Sequence, residues 1–241
     1  MWVVQGDDTQ TLGRLLEAIV ADDPRAIETA LEALALEEVE AALPSIFELL
    51  RHADYLVRNA AVAAFIESEL PAHLGVEAQL LAQLRAEDEE VVRCTICEAL
   101  ETHGSAASVG PLRAAMDRDH WLVRPWAADA LGWVDCDEAS RAALRIAARV
   151  SDEPRLARAA AFSLVMLGER TFVAEATRAA LSDDSAAVGL MESLGVVRRR
   201  RPREAQELLA DFTEFLRRVD TVFPAHRGQA ERLRAAVALD S

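Results

Sequence analysis

Apolar residues recur along this chain at the three-to-four-residue spacing of amphipathic helices. Short turns that carry acidic residues interrupt them at regular intervals. Alanine and leucine dominate the apolar positions, and aromatic residues make up only 5% of the chain. Alanine and leucine favour helices, whereas strands favour β-branched and aromatic residues. The pattern therefore predicts an all-α protein of about fourteen helices in seven hairpins.

One motif returns in successive hairpins: an acidic turn, an apolar residue, an arginine and an alanine-rich helix. Its clearest copies are HADYLVRNAAVAAF from His52, EDEEVVRCTICEAL from Glu87, RDHWLVRPWAADAL from Arg118 and DEPRLARAAAFSL from Asp152. The arginines that these copies share, at intervals of 35, 31 and 34 residues, are Arg58, Arg93, Arg124 and Arg158. One such hairpin cannot bury its apolar face alone, so neighbouring hairpins must share a core. This requirement predicts a solenoid.

The repeat resembles HEAT repeats, particularly the short type known from bilin lyases of light-harvesting complexes. Asp152 with ARAAAFSLVMLG, and LVRPWAADALG ending at Gly132, carry the resemblance, which covers roughly residues 20–197. It implies a right-handed α-solenoid of stacked antiparallel helix pairs. We expect one solenoid domain over residues 1–241, with capping helices from about residue 198.

In that family, the aspartate and arginine of successive repeats form a ladder along the stack. Asp152 and Arg158 have the usual spacing of six residues. His52, Glu87 and Arg118 occupy the acidic position in the other copies. The resemblance therefore implies an incomplete ladder.

The copy RDHWLVRPWAADALGWV, residues 118–134, holds three of the four tryptophans of the chain. On a helix over Val123–Val134, Trp126 and Trp133 nearly superpose at the border of the apolar stripe, and Asp129 lies on the open side. Two interpretations stay open. In the first, both rings wedge between neighbouring helices and Asp129 is merely solvated. In the second, these residues form a binding face.

In the second interpretation, the binding face also includes carboxylates of the preceding repeats. Glu98 holds the same repeat position as Asp129, five residues after the arginine, and Glu67 and Glu101 are nearby in sequence. In HEAT proteins the second helix of each hairpin lines the concave surface, so the resemblance implies that these side chains share that surface. Indole faces and carboxylates together suit a cationic or arginine-rich partner.

The net charge of −15 is unevenly distributed, because residues 1–100 hold 20 acidic residues and only 6 arginines. An acidic half repels phosphates, which disfavours nucleic acid as a partner. The strongest basic run, VVRRRRPRE, crosses a predicted hairpin turn. Its arginines are Arg198, Arg199, Arg200, Arg201 and Arg203. The run is either a solvated turn or a contact with an acidic partner, with nucleic acid or with the acidic half of this protein.

No catalytic or metal-binding constellation is recognisable in the sequence, so we expect no cofactor and no metal. The CTIC stretch at residues 94–97 lies inside a predicted helix without a second cysteine pair, whereas zinc needs about four ligands. Buried or half-buried thiols are predicted instead. The odd number of three cysteines, and the lack of an apolar run of about 18 residues, predict a cytoplasmic protein without a membrane span.

These observations favour a non-enzymatic scaffold or adaptor that binds a protein or peptide, and they leave its oligomeric state open. Two alternatives remain. Alkylpurine DNA glycosylases are built on HEAT-like repeats, and WVDCD, with Trp133 four residues before Asp137, is loosely similar to their motifs. A bilin-lyase-like chaperone would follow from the repeat subtype alone.

Overall fold

The structure is a computed structural model that describes residues 8–66, 68, 70–134 and 136–238. These residues form fifteen α-helices and three single 3-10 turns, and they contain no strand. The predicted all-α class is confirmed, with one helix more than expected. The chain divides into two compact units, which meet in sequence at residue 135. The single solenoid domain over residues 1–241 stays a prediction.

The first unit consists of four helix pairs. Its helices are α1 (Asp8–Ala21), α2 (Pro24–Glu32), α3 (Leu36–Leu49), α4 (Tyr55–Ala63), α5 (Val76–Ala86), α6 (Glu90–His103), α7 (Ala106–Arg118) and α8 (Val123–Leu131). The two members of each pair pack against each other, and the second helices α2, α4, α6 and α8 pack in turn along the stack. This arrangement is the stacked-pair architecture of an α-solenoid, in which each repeat contacts only its neighbours.

The second unit begins with two further pairs and ends in three shorter helices. Its helices are α9 (Glu138–Val150), α10 (Pro154–Met166), α11 (Val173–Ala180), α12 (Asp184–Arg200), α13 (Pro202–Asp211), α14 (Thr213–Val222) and α15 (Arg227–Ala238). Every residue of α10 from Leu156 to Val165 is buried. The α10 helix packs against α9, α11 and α12 and is therefore the centre of this unit.

Acidic and hydroxyl side chains at the turns begin the helices, as their positions in the sequence predict. Asp23 accepts hydrogen bonds from the backbone N–H groups of Arg25 and Ala26 at the start of α2. Asp183 accepts one from Ala186 at 2.9 Å at the start of α12. A side-chain oxygen at this position satisfies an N–H group that the helix leaves without a partner. The capping side chains of the turns therefore help to fix where these helices begin.

Small residues set the distance between the stacked second helices. Ala127, Ala128 and Ala130 of α8 are completely buried, and so are Ala99 of α6 and Ala61 of α4. Alanine adds little side-chain volume between two helix axes, so the backbones approach closely and few large side chains are needed. This explains how a chain with so few aromatic residues fills its core.

Candidate functional site

Trp126 and Asp129 lie on α8 and are both half-buried. Val123, Ala127, Ala130 and Leu131 of the same helix are completely buried. The buried stripe predicted for α8 is confirmed. The indole and the carboxylate therefore stand at the border of the core rather than inside it.

Trp133 does not lie on the α8 helix. The helix ends at Leu131, with Gly132 as its C-cap, and the N–H of Trp133 donates to the Ala130 carbonyl at 3.0 Å in the following turn. The predicted helix over Val123–Val134 is therefore too long, and Trp126 and Trp133 do not superpose by helical spacing. Trp133 is half-buried.

Val134, in the turn after α8, packs against the end of α6. Val134 is buried beside Gly104, where α6 ends, and a Cβ atom on Gly104 would lie 2.8 Å from the Val134 Cγ1 atom. Glycine at residue 104 leaves room for this contact. The turn after α8 is therefore held against the neighbouring helix.

Glu98 and Glu101 lie on α6, which packs directly against α8, and both are half-buried. Glu98, Glu101, Asp129 and Trp133 each interact with another group of the chain. Glu67 lies outside the described residues. We use the name α6–α8 face for Glu98, Glu101, Trp126, Asp129 and Trp133.

The first arginine of the repeat, Arg58, reaches an acid of the next repeat. Its Nε and Nη2 atoms donate to the two carboxylate oxygens of Glu87 at 2.8 and 2.7 Å. Its Nη1 atom donates to the carbonyls of His52 and Ala53 in its own turn. Two parallel bonds of this kind form the strongest geometry that an arginine and a carboxylate adopt. Arg58 therefore joins two successive turns.

The environment of Glu87 explains its charge state. Only 2% of its side chain is exposed, and burial by itself raises the pKa of a carboxyl group. Hydrogen bonds from Arg58, from the Glu89 N–H and from Gln83 outweigh burial and lower the pKa of Glu87 to about 2. The carboxylate is therefore ionised at neutral pH and depends on its donors.

Arg93 repeats this arrangement one hairpin further on. Its Nε and Nη2 atoms donate to Asp119, the Nε atom at 3.0 Å from Oδ2, and its Nη1 atom donates to the carbonyls of Leu84 and Glu87. The acid of this repeat is thus Asp119, and the assignment of Arg118 to the acidic position was wrong by one residue. Asp119 precedes Arg124 by five residues instead of six. The alignment assumed a constant spacing and therefore missed it.

The last two repeat arginines donate to a backbone carbonyl and to a hydroxyl group. The Nε atom of Arg124 donates to the Met116 carbonyl at 2.9 Å. Arg158 is 5% exposed, and its Nη1 atom donates to the Ser193 hydroxyl of α12 at 3.1 Å. Asp152 is exposed, and its part in the ladder stays a prediction.

The sequence search overlooked a row of exposed apolar residues at the start of the second helices. Tyr55 is 40% exposed, Leu56 43%, Val91 53% and Trp121 54%. Each stands two or three residues before the repeat arginine. The repeat contains a signal for this row, because an apolar residue stands two or three positions before Arg58, Arg93 and Arg124. We call Tyr55, Leu56, Val91 and Trp121 the edge row.

The basic run lies where the sequence predicted a turn. The α12 helix ends at Arg200, Arg201 connects it to α13, and α13 begins at Pro202. Arg198 and Arg199 are exposed, whereas Arg200 and Arg201 are half-buried. The structure does not describe the side chain of Arg203. Arginines in a last helical turn are stabilised by the negative end of the helix dipole, which accounts for part of the run.

The cysteines and Asp137, which the sequence also offered as candidates, are buried or half-buried in the fold or cap a helix. Cys94 is half-buried and Cys97 is buried, as predicted, and burial raises the pKa of the Cys97 thiol. The side chain of Asp137 caps α9 by accepting from the Ser140 N–H at 2.8 Å.

Within the described ranges, no three metal-ligating side chains cluster. Of the described helices, none combines the length and the apolar character needed to cross a bilayer.

Comparison with known proteins identifies the repeat. Residues 77–165, which run from α5 to α10, match the family model for HEAT repeats. Residues 77–165 are therefore similar to HEAT repeats, as the sequence predicted for this stretch. Searches of characterised proteins and of solved structures find no match. A HEAT-repeat fold is the kind of scaffold that supports protein interactions.

Proposed function

We propose that this protein is a non-enzymatic scaffold or adaptor that holds a basic protein or peptide segment against the α6–α8 face. One observation carries the proposal. Trp126 and Asp129 are both half-buried on α8, and α8 packs against α6, which carries the half-buried Glu98 and Glu101. Partly covered indoles with carboxylates around them are suited to a guanidinium or ammonium group, which contacts the ring face and pairs with the acids.

Charge supports the same kind of partner. Residues 1–100 contribute 20 acidic residues and 6 arginines, so a basic segment is attracted before contact. Glu98, Glu101 and Asp129 keep their own interactions within the chain. Their positions are therefore held before a partner arrives, which lowers the entropy lost on binding. Nucleic acid is disfavoured by the same charge.

The proposal also includes a cellular setting. Three cysteines stay free, and two of them, Cys97 and Cys136, are buried. Free, buried thiols are typical of proteins from a reducing compartment, so we propose that the protein acts in the cytoplasm. It needs no cofactor and no metal for this role.

A peptide titration tests the proposal. The probe is a fluorescent twelve-residue peptide of alternating arginine and glycine, and the full-length protein is titrated into it at low salt. We expect binding, and we expect Asp129→Asn and Glu98→Gln each to weaken it roughly threefold to tenfold, because each removes a charge next to the indoles. Asp152→Asn is the matched control, since Asp152 is an exposed acid of the second unit.

Circular dichroism must first show that all variants have the helix content of the wild type. Trp126→Phe is a second variant, which keeps an aromatic ring but reduces its attraction for cations. Equal affinities of the wild type, Asp129→Asn and Glu98→Gln would overturn the proposal. Equal losses in these variants and in Asp152→Asn would also overturn it, because they would indicate a general charge effect.

A further inference from the structure

The edge row lies at the start of three successive second helices. Leu56 and Val91 each stand two residues before the repeat arginine, whereas Tyr55 and Trp121 stand three before it. All four are at least two-fifths exposed. Single exposed apolar residues are ordinary on protein surfaces. Exposed apolar residues just before the arginine in three consecutive repeats form a pattern that folding alone does not require, because these side chains contribute little to the core.

The ladder brings these positions to one edge of the first unit. Arg58 of α4 binds Glu87 just before α6, and Arg93 of α6 binds Asp119 just before α8. The Sγ atom of Cys94 also donates to the Leu122 carbonyl at 3.5 Å. The starts of α4, α6 and α8 are therefore held side by side. Packed helices lie about 8–10 Å apart, so the edge row extends over roughly 20 Å.

Trp121 has the largest apolar surface of the row. Its indole contacts the His120 ring, with 5.5 Å between the ring centroids and an angle of 45° between the planes. The His120 Nδ1 atom in turn accepts from the Leu122 N–H at 3.4 Å. The ring therefore stands exposed beside an anchored neighbour, which limits the entropy that binding would cost.

Charge around the edge row indicates a basic partner. The three turns together with the helix ends beside them, residues 48–56, 85–91 and 117–121, contain the two ladder acids Glu87 and Asp119, which the arginines neutralise. Outside those pairs the turns carry six acids, namely Glu48, Asp54, Asp88, Glu89, Glu90 and Asp117. They carry three arginines, namely Arg51, Arg85 and Arg118. The excess of carboxylates favours cationic side chains on the partner.

The spacing of the row indicates the partner's conformation. A polyproline II helix has three residues per turn and rises about 3.1 Å per residue. Every third side chain therefore points to the same side, about 9 Å from the previous one. This distance falls within the range of about 8–10 Å that is usual between packed helices. Exposed tyrosine and tryptophan rings are also the side chains on which such segments dock.

We propose that the edge row binds a basic segment of a partner protein in the polyproline II conformation, with an apolar residue at every third position. Leu56, Val91 and Trp121 contact successive apolar side chains. The carboxylates of the turns pair with arginines or lysines between them. This surface is separate from the α6–α8 face and does not depend on it.

A matched set of peptides tests the inference. The probe is a fluorescent peptide of four Leu-Pro-Arg units, and the controls are four Leu-Pro-Glu units and a scrambled peptide with the composition of the probe. Full-length protein is titrated into each, and anisotropy gives the dissociation constant. We expect the probe to bind at least roughly tenfold more tightly than either control peptide.

Protein variants locate the surface. Trp121→Ser is expected to weaken binding of the probe roughly tenfold or more, because exposed tryptophans are frequent anchors of interfaces. Val91→Ser is expected to weaken it about threefold. Ile146→Ser is the matched control, since Ile146 is an exposed apolar residue of α9, 64% accessible, outside the edge row. Asp129→Asn tests independence from the α6–α8 face and should leave the affinity unchanged.

Wild-type affinity of Trp121→Ser would overturn the inference, and so would equal binding of the scrambled peptide or of the glutamate peptide. Sedimentation of the wild-type protein tests whether a second copy of this chain occupies the edge row instead. A dimer that Trp121→Ser dissociates would show that the edge row binds a second copy of this chain, and this result would also overturn the inference.

Discussion

Arg58 in the first unit and Arg158 in the second occupy the same place in the repeat but contact different groups. Arg58 binds a buried carboxylate of the next repeat with two parallel hydrogen bonds. Arg158 is buried, and its Nη1 atom donates to the hydroxyl of Ser193. The motif is the same in both units. The following repeat decides what the arginine contacts.

Gly189 explains the difference in the second unit. It stands where the next copy of the motif would carry its arginine, and a Cβ atom there would lie 2.7 Å from the Arg158 Nη2 atom. The absence of a side chain at Gly189 leaves space for the guanidinium. The first unit therefore holds its arginine against a carboxylate of the next repeat, whereas in the second unit the missing side chain at Gly189 leaves room for the guanidinium beside the Ser193 hydroxyl.

The largest expected effect is the loss of Arg58. Arg58→Met leaves the Glu87 carboxylate buried with only its hydrogen bonds from Gln83 and the backbone, and we expect a loss of about 3 kcal/mol in the stability of the first unit. Urea unfolding, with hydrogen exchange resolved for α4 and α6, measures it. Adding Glu87→Gln to Arg58→Met should recover part of the loss. A cost below about 0.5 kcal/mol would show that the pair is no stronger than a surface ion pair.

Lowering the pH should also reveal the stability that the Arg58–Glu87 pair contributes. The pKa of Glu87 in the folded protein is about 2, below its ordinary value of about 4.5. A lowered folded-state pKa contributes stability that is complete above about pH 5 and is lost as the pH falls from there toward 2. We expect the first unit to lose about 2 to 3 kcal/mol over this range. Glu87→Gln should remove this part of the slope, and an unchanged slope in that variant would contradict the assignment.

Filling the space beside Arg158 should destabilise the second unit. Gly189→Leu forces the buried guanidinium to move, and we expect a cost of about 1 to 2 kcal/mol, read from hydrogen exchange in α10 and α12. Gly195→Leu is the control on the same helix, because a Cβ atom there approaches nothing closer than 3.8 Å. The control should retain or gain stability, since leucine favours helices more than glycine does. Equal effects at the two glycines would refute the spatial role of Gly189.

The smallest effect is expected at an exposed pair of the second unit. Arg217 and Glu214 form an ion pair three residues apart on α14, and both side chains are more than half exposed. Arg217→Ala should leave the urea midpoint unchanged within experimental error, because water screens such pairs. A shift comparable with that of Arg58→Met would show that burial is not what distinguishes the ladder arginines.

The candidate sites illustrate which parts of such a protein are predictable. The buried stripe of α8 and the turn at Arg201 follow from local periodicity and turn chemistry, and the structure has them where they were expected. Trp133 was misplaced because the apolar pattern continues to Val134, whereas α8 ends at Leu131 with Gly132 as its C-cap. Val134 is instead buried beside Gly104, about thirty residues earlier in the chain, and helical periodicity carries no information about such a contact.

The sequence by itself determined the helical class, the HEAT-like repeat pattern and the arginine of each repeat, because period, capping and helix propensity act over a few neighbouring residues. Only the tertiary structure decided that Arg93 pairs with Asp119 and that Trp121 is exposed. These outcomes depend on which turn of the next repeat meets each side chain. The stacking of the helix pairs sets which turn each side chain meets, and a change of one residue in turn length alters this contact.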